Sequence, residues 1–128
     1  MLHFDMLSNM SDEFLAVATR EIDEDLAELA MLFTSCKNDH DVISNADNFQ
    51  KHTHKIKGLA PMMGKTSLGK ISDSLDTLLK TILPGNEIDG IFDLLSEILP
   101  FMKSLMIEGT CELAMIKEKI SKIENMSN

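Results

Sequence analysis

The stretch DVISNADNFQKHTHKIKGLAPMMG, residues 41–64, decides the fold. Val42, Ala46, Phe49, Thr53, Ile56, Ala60 and Met63 recur alternately four and three apart. That spacing lines one face of a helix and no face of a strand. It predicts a helix from near Asp41 to about Met63, with a single seam against a core. Gly64 is placed to close it, because glycine takes the left-handed backbone that commonly ends a helix. Lys37-Asn38-Asp39 reads as the turn before it. Pro61 lies inside the pattern, where proline loses a backbone hydrogen bond and crowds the carbonyl four residues back, that of Lys57. A local bend is expected there.

The same periodicity runs outward in both directions. Ser11 is a candidate N-cap, and Asp12 and Glu13 suit the positive end of a helix dipole. The helix that follows reaches about Cys36 on Phe14, Leu15, Val17, Ala18, Ile22, Leu26, Leu29, Ala30 and Phe33. After Gly64, Thr66 or Ser67 can cap a helix with the seam Leu68, Ile71, Leu75, Leu78 and Ile82. Pro84-Gly85-Asn86 signals a turn. A fourth helix carries Ile88, Ile91, Phe92, Leu95, Ile98, Leu99, Met102 and Leu105, and Pro100 is expected to kink or split it. Gly109-Thr110 breaks the chain again, and a last helix carries Leu113, Ile116, Ile120 and Ile123. The expected fold is all-α: an antiparallel four-helix bundle with an additional C-terminal helix. Residues 1–10 read as a flexible leader, 11–125 as a single domain and 126–128 as a tail.

Composition agrees with one core in a chain of 128 residues. Aromatic residues are only 5%, all Phe, so Leu, Ile and Met are expected to fill most of the interior. The formal charge of -9 argues against nucleic acid and against an anionic membrane surface, and favours a partner with basic patches. Cys36 and Cys111 form no spaced framework, which fits a reduced intracellular compartment. No basic n-region precedes a long apolar run, and no stretch approaches the ~18 apolar residues of a membrane helix. A cytoplasmic protein is expected.

Chemistry concentrates in His52-Thr53-His54-Lys55-Ile56-Lys57-Gly58. At roughly 100° per residue, His54 points roughly 130° from the seam and His52 only about 70°. His54 is therefore the outward ring, and His52 lies on the flank of the core. Lys57 and Gly58 follow His54 by three and four residues and are its neighbours on the helix surface. Neutral imidazole is nucleophilic near physiological pH. A nearby ammonium offsets charge on phosphoryl oxygens, and a glycine leaves room for a docking enzyme. A lone histidine on a polar helix face is commonly just solvated, so spacing alone leaves the role open. The two rings of His52 and His54 point about 200° apart and cannot chelate one ion from the same helix. His3 and His40 add no metal spacing.

At these residues the sequence resembles the histidine phosphotransfer (Hpt) family. The family pattern of His, any residue, Leu or Ile, Lys, Gly matches His54-Lys55-Ile56-Lys57-Gly58, and Leu59-Ala60-Pro61-Met62-Met63-Gly64 continues it. The run from Ser67 to Lys80 is similar to the third helix of the phosphorylated amino-terminal domain of chemotaxis histidine kinases. The helix from Glu13 through Leu29 is similar in spacing and charge. The resemblance covers most of residues 11–82. It implies that His54 is the phosphoacceptor, that Lys57 assists electrostatically and that Gly58 gives access. In the chemotaxis kinases a glutamate holds the ring's Nδ1 proton, and Asp76 stands at that position. A second family histidine matches Asp73. Both are departures. The shorter aspartate implies a longer or water-mediated contact with His54.

The implied mechanism is a phosphorelay within two-component or chemotaxis signalling. His54 takes a phosphoryl group from a histidine kinase catalytic domain, or a receiver, and passes it to a response-regulator aspartate. With no glycine-rich nucleotide loop, the chain is expected to be a substrate and carrier without a cofactor, Mg-ATP belonging to the partner kinase. His52 is the fallback acceptor. The competing expectation is an Hpt-like helical adaptor that binds without being phosphorylated.

Overall fold

The computed structural model describes residues 11–82, 88–107 and 118–124. It is all-helical, with no strand among the described residues. The helices are α1 (Asp12–Thr34), α2 (Asp39–Ser44), α3 (Ala46–Met62), α4 (Thr66–Lys80) and α5 (Ile91–Ile107). Residues 118–124 add a further helical segment. α3 packs on α4 and on α1, α5 packs on α1 and α4, and the short α2 lies against α5 and α3. The core at their centre includes Ile22, Leu29, Phe49, Ile56, Leu75 and Ile98, all fully buried.

Ser11 caps α1 by accepting the Phe14 N–H at 3.0 Å. The single helix expected over 41–63 is instead two. The Asn45 side-chain amide donates to the Asp41 carbonyl at 2.9 Å, and the Asn45 N–H turns to Val42 at 3.0 Å. A side chain has thus replaced the backbone donor, which ends α2 there. The apolar spacing runs through the break undisturbed, with Val42, Ala46 and Phe49 all buried.

Lys37-Asn38-Asp39 is not a free turn. Asn38 caps α2 by accepting the Asp41 N–H at 2.9 Å. Asp39 reaches across the chain to the start of α5, accepting from Gly90 N–H at 3.1 Å and Phe92 N–H at 2.7 Å. An acidic side chain there satisfies otherwise unpaired donors and faces the positive helix end. Phe33 stacks on Phe92 with centroids 4.8 Å apart, fixing α1 against the same end.

α3 contains Thr53, Gly58 and Pro61, all poor helix formers. Its seam holds it, since burying a side chain such as Phe49 or Ile56 contributes ~2–3 kcal/mol. Gly64, at φ +77°, closes α3 as expected. The Lys65 N–H reaches the Ala60 carbonyl at 2.9 Å and the Gly64 N–H the Pro61 carbonyl at 3.0 Å, the paired bonds of a Schellman end. α4 then begins without the expected side-chain cap: Lys65 takes the N-cap position, with Thr66 and Ser67 inside the first turn.

Pro100 neither splits nor ends its helix, which runs without interruption from Ile91 to Ile107. Pro100 and Ser96, whose carbonyl loses its partner, both lie on the exposed face, where water can replace the bond. The fourth helix starts at Ile91, leaving buried Ile88 before it. Ile120 and Ile123 of the last segment are buried, and Lys119 pairs with Glu97 of α5 at 2.7 Å. The Pro84-Gly85-Asn86 turn, the Gly109-Thr110 break, residues 113–117 of the last helix, and the 1–10 and 126–128 tails lie outside the described residues. Among the described residues no helix is long and apolar enough to cross a membrane.

Candidate functional site around His54

α3 lies between α4 and α1, and its two histidines face opposite neighbours. His54 stands outward, its side chain 60% exposed, with Nδ1 3.5 Å from Oδ2 of Asp76 on α4. An ionised carboxylate can only accept, so this contact assigns the proton to Nδ1 and leaves Nε2 as the free lone pair. The distance is at the long limit of a hydrogen bond, as the shorter aspartate side chain implied.

Asp76 is fully buried and serves as a hub. Gln50 donates to its Oδ1 at 2.6 Å. Lys57 and Lys80 donate to Oδ2 at 3.3 and 3.2 Å. Burial alone raises the carboxyl's pKa, but the bonds from Gln50, Lys80, Lys57 and His54 together outweigh it and hold the group below the ordinary aspartate range. Lys57 also pairs with the exposed Asp73 at 3.2 Å. Asp73 first, then Asp76, stabilise its ammonium and raise its pKa. Asp73 thus works on Lys57; no hydrogen bond or ion pair joins it to His54.

Gly58 presents open space: a Cβ built there meets nothing within 4 Å. Since glycine costs a helix about 0.8–1.0 kcal/mol relative to alanine, Gly58→Ala should raise stability by about that amount. Chemical denaturation would measure it as a higher midpoint at unchanged slope.

His52 occupies a second carboxylate pair. Its Nδ1 lies 2.8 Å from Oδ1 of Asp25 on α1, and Lys55 reaches the same oxygen at 3.2 Å. The His52 side chain is only 15% exposed and that of Asp25 is 3% exposed. The pair ties α3 to α1, and the limited exposure of the ring makes it a poor alternative acceptor.

Asp25, Gln50 and Lys80 were not among the expected site residues, yet each had a signal in the sequence. Asp25 continues the four-three seam of Ala18, Ile22 and Leu29. A charge at a seam position needs a buried partner. Gln50 precedes His54 by four residues and Lys80 follows Asp76 by four, one turn in each case. Among the described residues no group of three or more His, Cys, Asp or Glu side chains is arranged to hold a metal. Cys36 is a free buried thiol, its pKa raised chiefly by burial. Comparison with family models, curated proteins and solved structures finds no match for this chain.

Proposed function

We propose that this protein is a histidine phosphotransfer domain, an antiparallel four-helix bundle of α1, α3, α4 and α5 with an added C-terminal helix, and that His54 carries the phosphoryl group. The carrying observation is the exposed His54 ring, with Nδ1 facing a buried, ionised Asp76 and a lysine and an open glycine beside it. Nε2 attacks the γ-phosphorus of ATP held by a histidine kinase catalytic domain, or the phosphorus of a receiver aspartyl phosphate. An N–P bond forms as the P–O bond to ADP or the aspartate breaks. Asp76 keeps the Nδ1 proton and offsets positive charge on the ring. Lys57 faces the incoming phosphoryl oxygens. A response-regulator aspartate then attacks phosphorus and releases the imidazole. Positioning and electrostatics carry most of the rate in such transfers. These partners place the protein in the cytoplasm, in two-component or chemotaxis signalling. In this reading the chain needs no cofactor of its own.

The test is incubation with a histidine kinase catalytic domain and Mg-ATP, followed by a receiver domain. The expected product is one acid-labile phosphate per chain, transferable to the receiver and lost in His54→Gln. Phosphate persisting on His54→Gln would sink the assignment. The long 3.5 Å contact between His54 and Asp76 favours one second reading, an Hpt-like adaptor that binds partners unphosphorylated. A wild-type chain that binds the receiver domain but takes no phosphate would establish it.

A further inference from the structure

Among the described residues two buried side-chain atoms have no hydrogen-bond partner, Oδ2 of Asp25 and Oγ of Ser72. Asp25 is engaged through its other oxygen, by His52 and Lys55. Ser72 has no such second contact, and a buried hydroxyl left unpaired is unfavourable. Other hydroxyls of this chain meet the need locally. Thr34, Thr53, Thr81, Ser96 and Ser104 each donate to the carbonyl three or four residues earlier. Ser72, 0% exposed on α4, does not.

Ser72 sits where α4 crosses α3. Around α4, at roughly 100° per residue, it lies about 60° from Gly69 and about 40° from Asp76. Gly69 packs on Pro61 of α3, and Asp76 receives Gln50, His54 and Lys57 of α3. The two helices therefore run antiparallel at this crossing, and Ser72 falls between the two sets of contacts. Its level follows from the helical rise. Ser72 is three residues, about 4.5 Å, beyond the contact of Gly69 with Pro61. Lys57 is four residues, about 6 Å, from Pro61, and its carbonyl points back toward Pro61. Carbonyl and hydroxyl thus stand at nearly one level. Pro61 has no N–H to give that carbonyl, and its ring crowds it. A donor without an acceptor and an acceptor without its helix donor lie on facing helices.

We propose that the Ser72 hydroxyl turns across the crossing and donates to the Lys57 carbonyl, replacing the N–H that Pro61 lacks. The turn is one step between staggered χ1 rotamers. Ser72 is then a positioning residue. It fixes the α3 backbone at Lys57, whose ammonium lies beside Asp76, one turn from His54. The bond itself does not depend on the phosphotransfer reading; its bearing on His54 does.

The test is a double-mutant cycle of Ser72→Ala and Pro61→Ala, read by thermal unfolding. In the wild type, Ser72→Ala strands the Lys57 carbonyl and should lower the midpoint by about 4 °C. In Pro61→Ala, residue 61 regains an N–H for that carbonyl. Ser72→Ala should there leave the midpoint unchanged or raise it. The gain in helix propensity from serine to alanine is common to both backgrounds and cancels in the cycle. The Lys57 carbonyl carbon should shift upfield in the NMR spectrum of Ser72→Ala and stay in place when the same change is made in Pro61→Ala. A midpoint raised by Ser72→Ala in the wild type would mean a hydroxyl with no partner and overturns the bond. So does an equal change in the two backgrounds.

Loading of His54 by phosphoramidate, a small donor that needs no docked domain, tests the positioning role at a temperature where all four chains are folded. Ser72→Ala should load about threefold more slowly than wild type, whereas adding it to Pro61→Ala should change nothing. Coupled midpoints with equal loading overturn Ser72 as a positioning residue. If the wild type takes no phosphate on His54, the phosphotransfer reading fails, and the midpoints and the carbonyl shift still decide the bond.

Discussion

Asp76→Ala should cost about 2–3 kcal/mol of stability and slow loading of His54 roughly 100-fold. The carboxylate is wholly buried and receives Gln50, Lys57, Lys80 and His54. Removing it leaves the half-buried Gln50 amide without its acceptor and opens a small void between α3 and α4. Breaking a buried pair can cost 3–5 kcal/mol. The smaller figure applies here because the side chains of Lys57, Lys80 and His54, at 36, 52 and 60% exposure, recover water on release. In the phosphotransfer reading the rate falls because the imidazole loses the group that fixes its proton on Nδ1. The free ring then samples both tautomers and loses the anion that offsets its charge on phosphorylation.

The pH dependence separates charge from packing. Asp76 titrates below the ordinary aspartate value when folded. Its ionised form therefore contributes stability that is complete above about pH 4 and lost as pH falls through the folded value. Urea denaturation should show wild type and Asp76→Asn separated at neutral pH and converging in acid. A gap independent of pH would mean that Asp76 acts by shape alone.

The helical character of the chain was legible because each apolar residue of a seam reports the same face. Phe49, Ile56 and Ala60 on α3, and Leu68, Ile71, Leu75 and Leu78 on α4, are all buried. The orientation of His54 followed from that seam by rotation alone. Asn45 was invisible for the complementary reason. Its side chain takes over a backbone bond without shifting the apolar period, so the seam reads through the break between α2 and α3. Pro100 does not split its helix, because the rule for proline concerns its own backbone, whereas the outcome depends on which face bears the lost bond. The partners of the two histidines were legible unequally. Asp76 came from the resemblance of the α4 sequence to a known helix. The seam position of Asp25 marked it as a buried charge, but its pairing with His52 needed knowledge that α1 lies beside α3. The caps show the same division. Ser11 acts on its own helix and was readable, whereas Asp39 caps α5 more than fifty residues away.

Gly69→Leu should lower stability by about 2 kcal/mol and impair His54 as well, although it lies two turns from Asp76. The reason is the crossing of α3 and α4. A Cβ at Gly69 would stand 2.7 Å from Cγ and 3.0 Å from Cδ of Pro61. The pyrrolidine ring is closed on its own backbone and cannot swing aside like the end of a flexible chain, so the helices must separate. Leucine improves helix propensity by roughly 0.8 kcal/mol over glycine, which reduces but does not cancel an overpacking cost of typically 1–3 kcal/mol or more. Pro61 thereby gains a structural role: with Gly69 it sets how closely α4 approaches α3. The His54–Asp76 contact, already 3.5 Å, has no slack. A shift of even half an ångström would take it beyond hydrogen-bonding distance. Thermal unfolding should show a midpoint lower by roughly 10 °C. Phosphoramidate loading of His54, followed at a temperature where the variant is still folded, should be slowed toward the Asp76→Ala rate. Loss of stability with normal loading would show that the ring is held independently of the crossing, leaving Gln50 and Lys57 to keep Asp76 in place as the backbone moves.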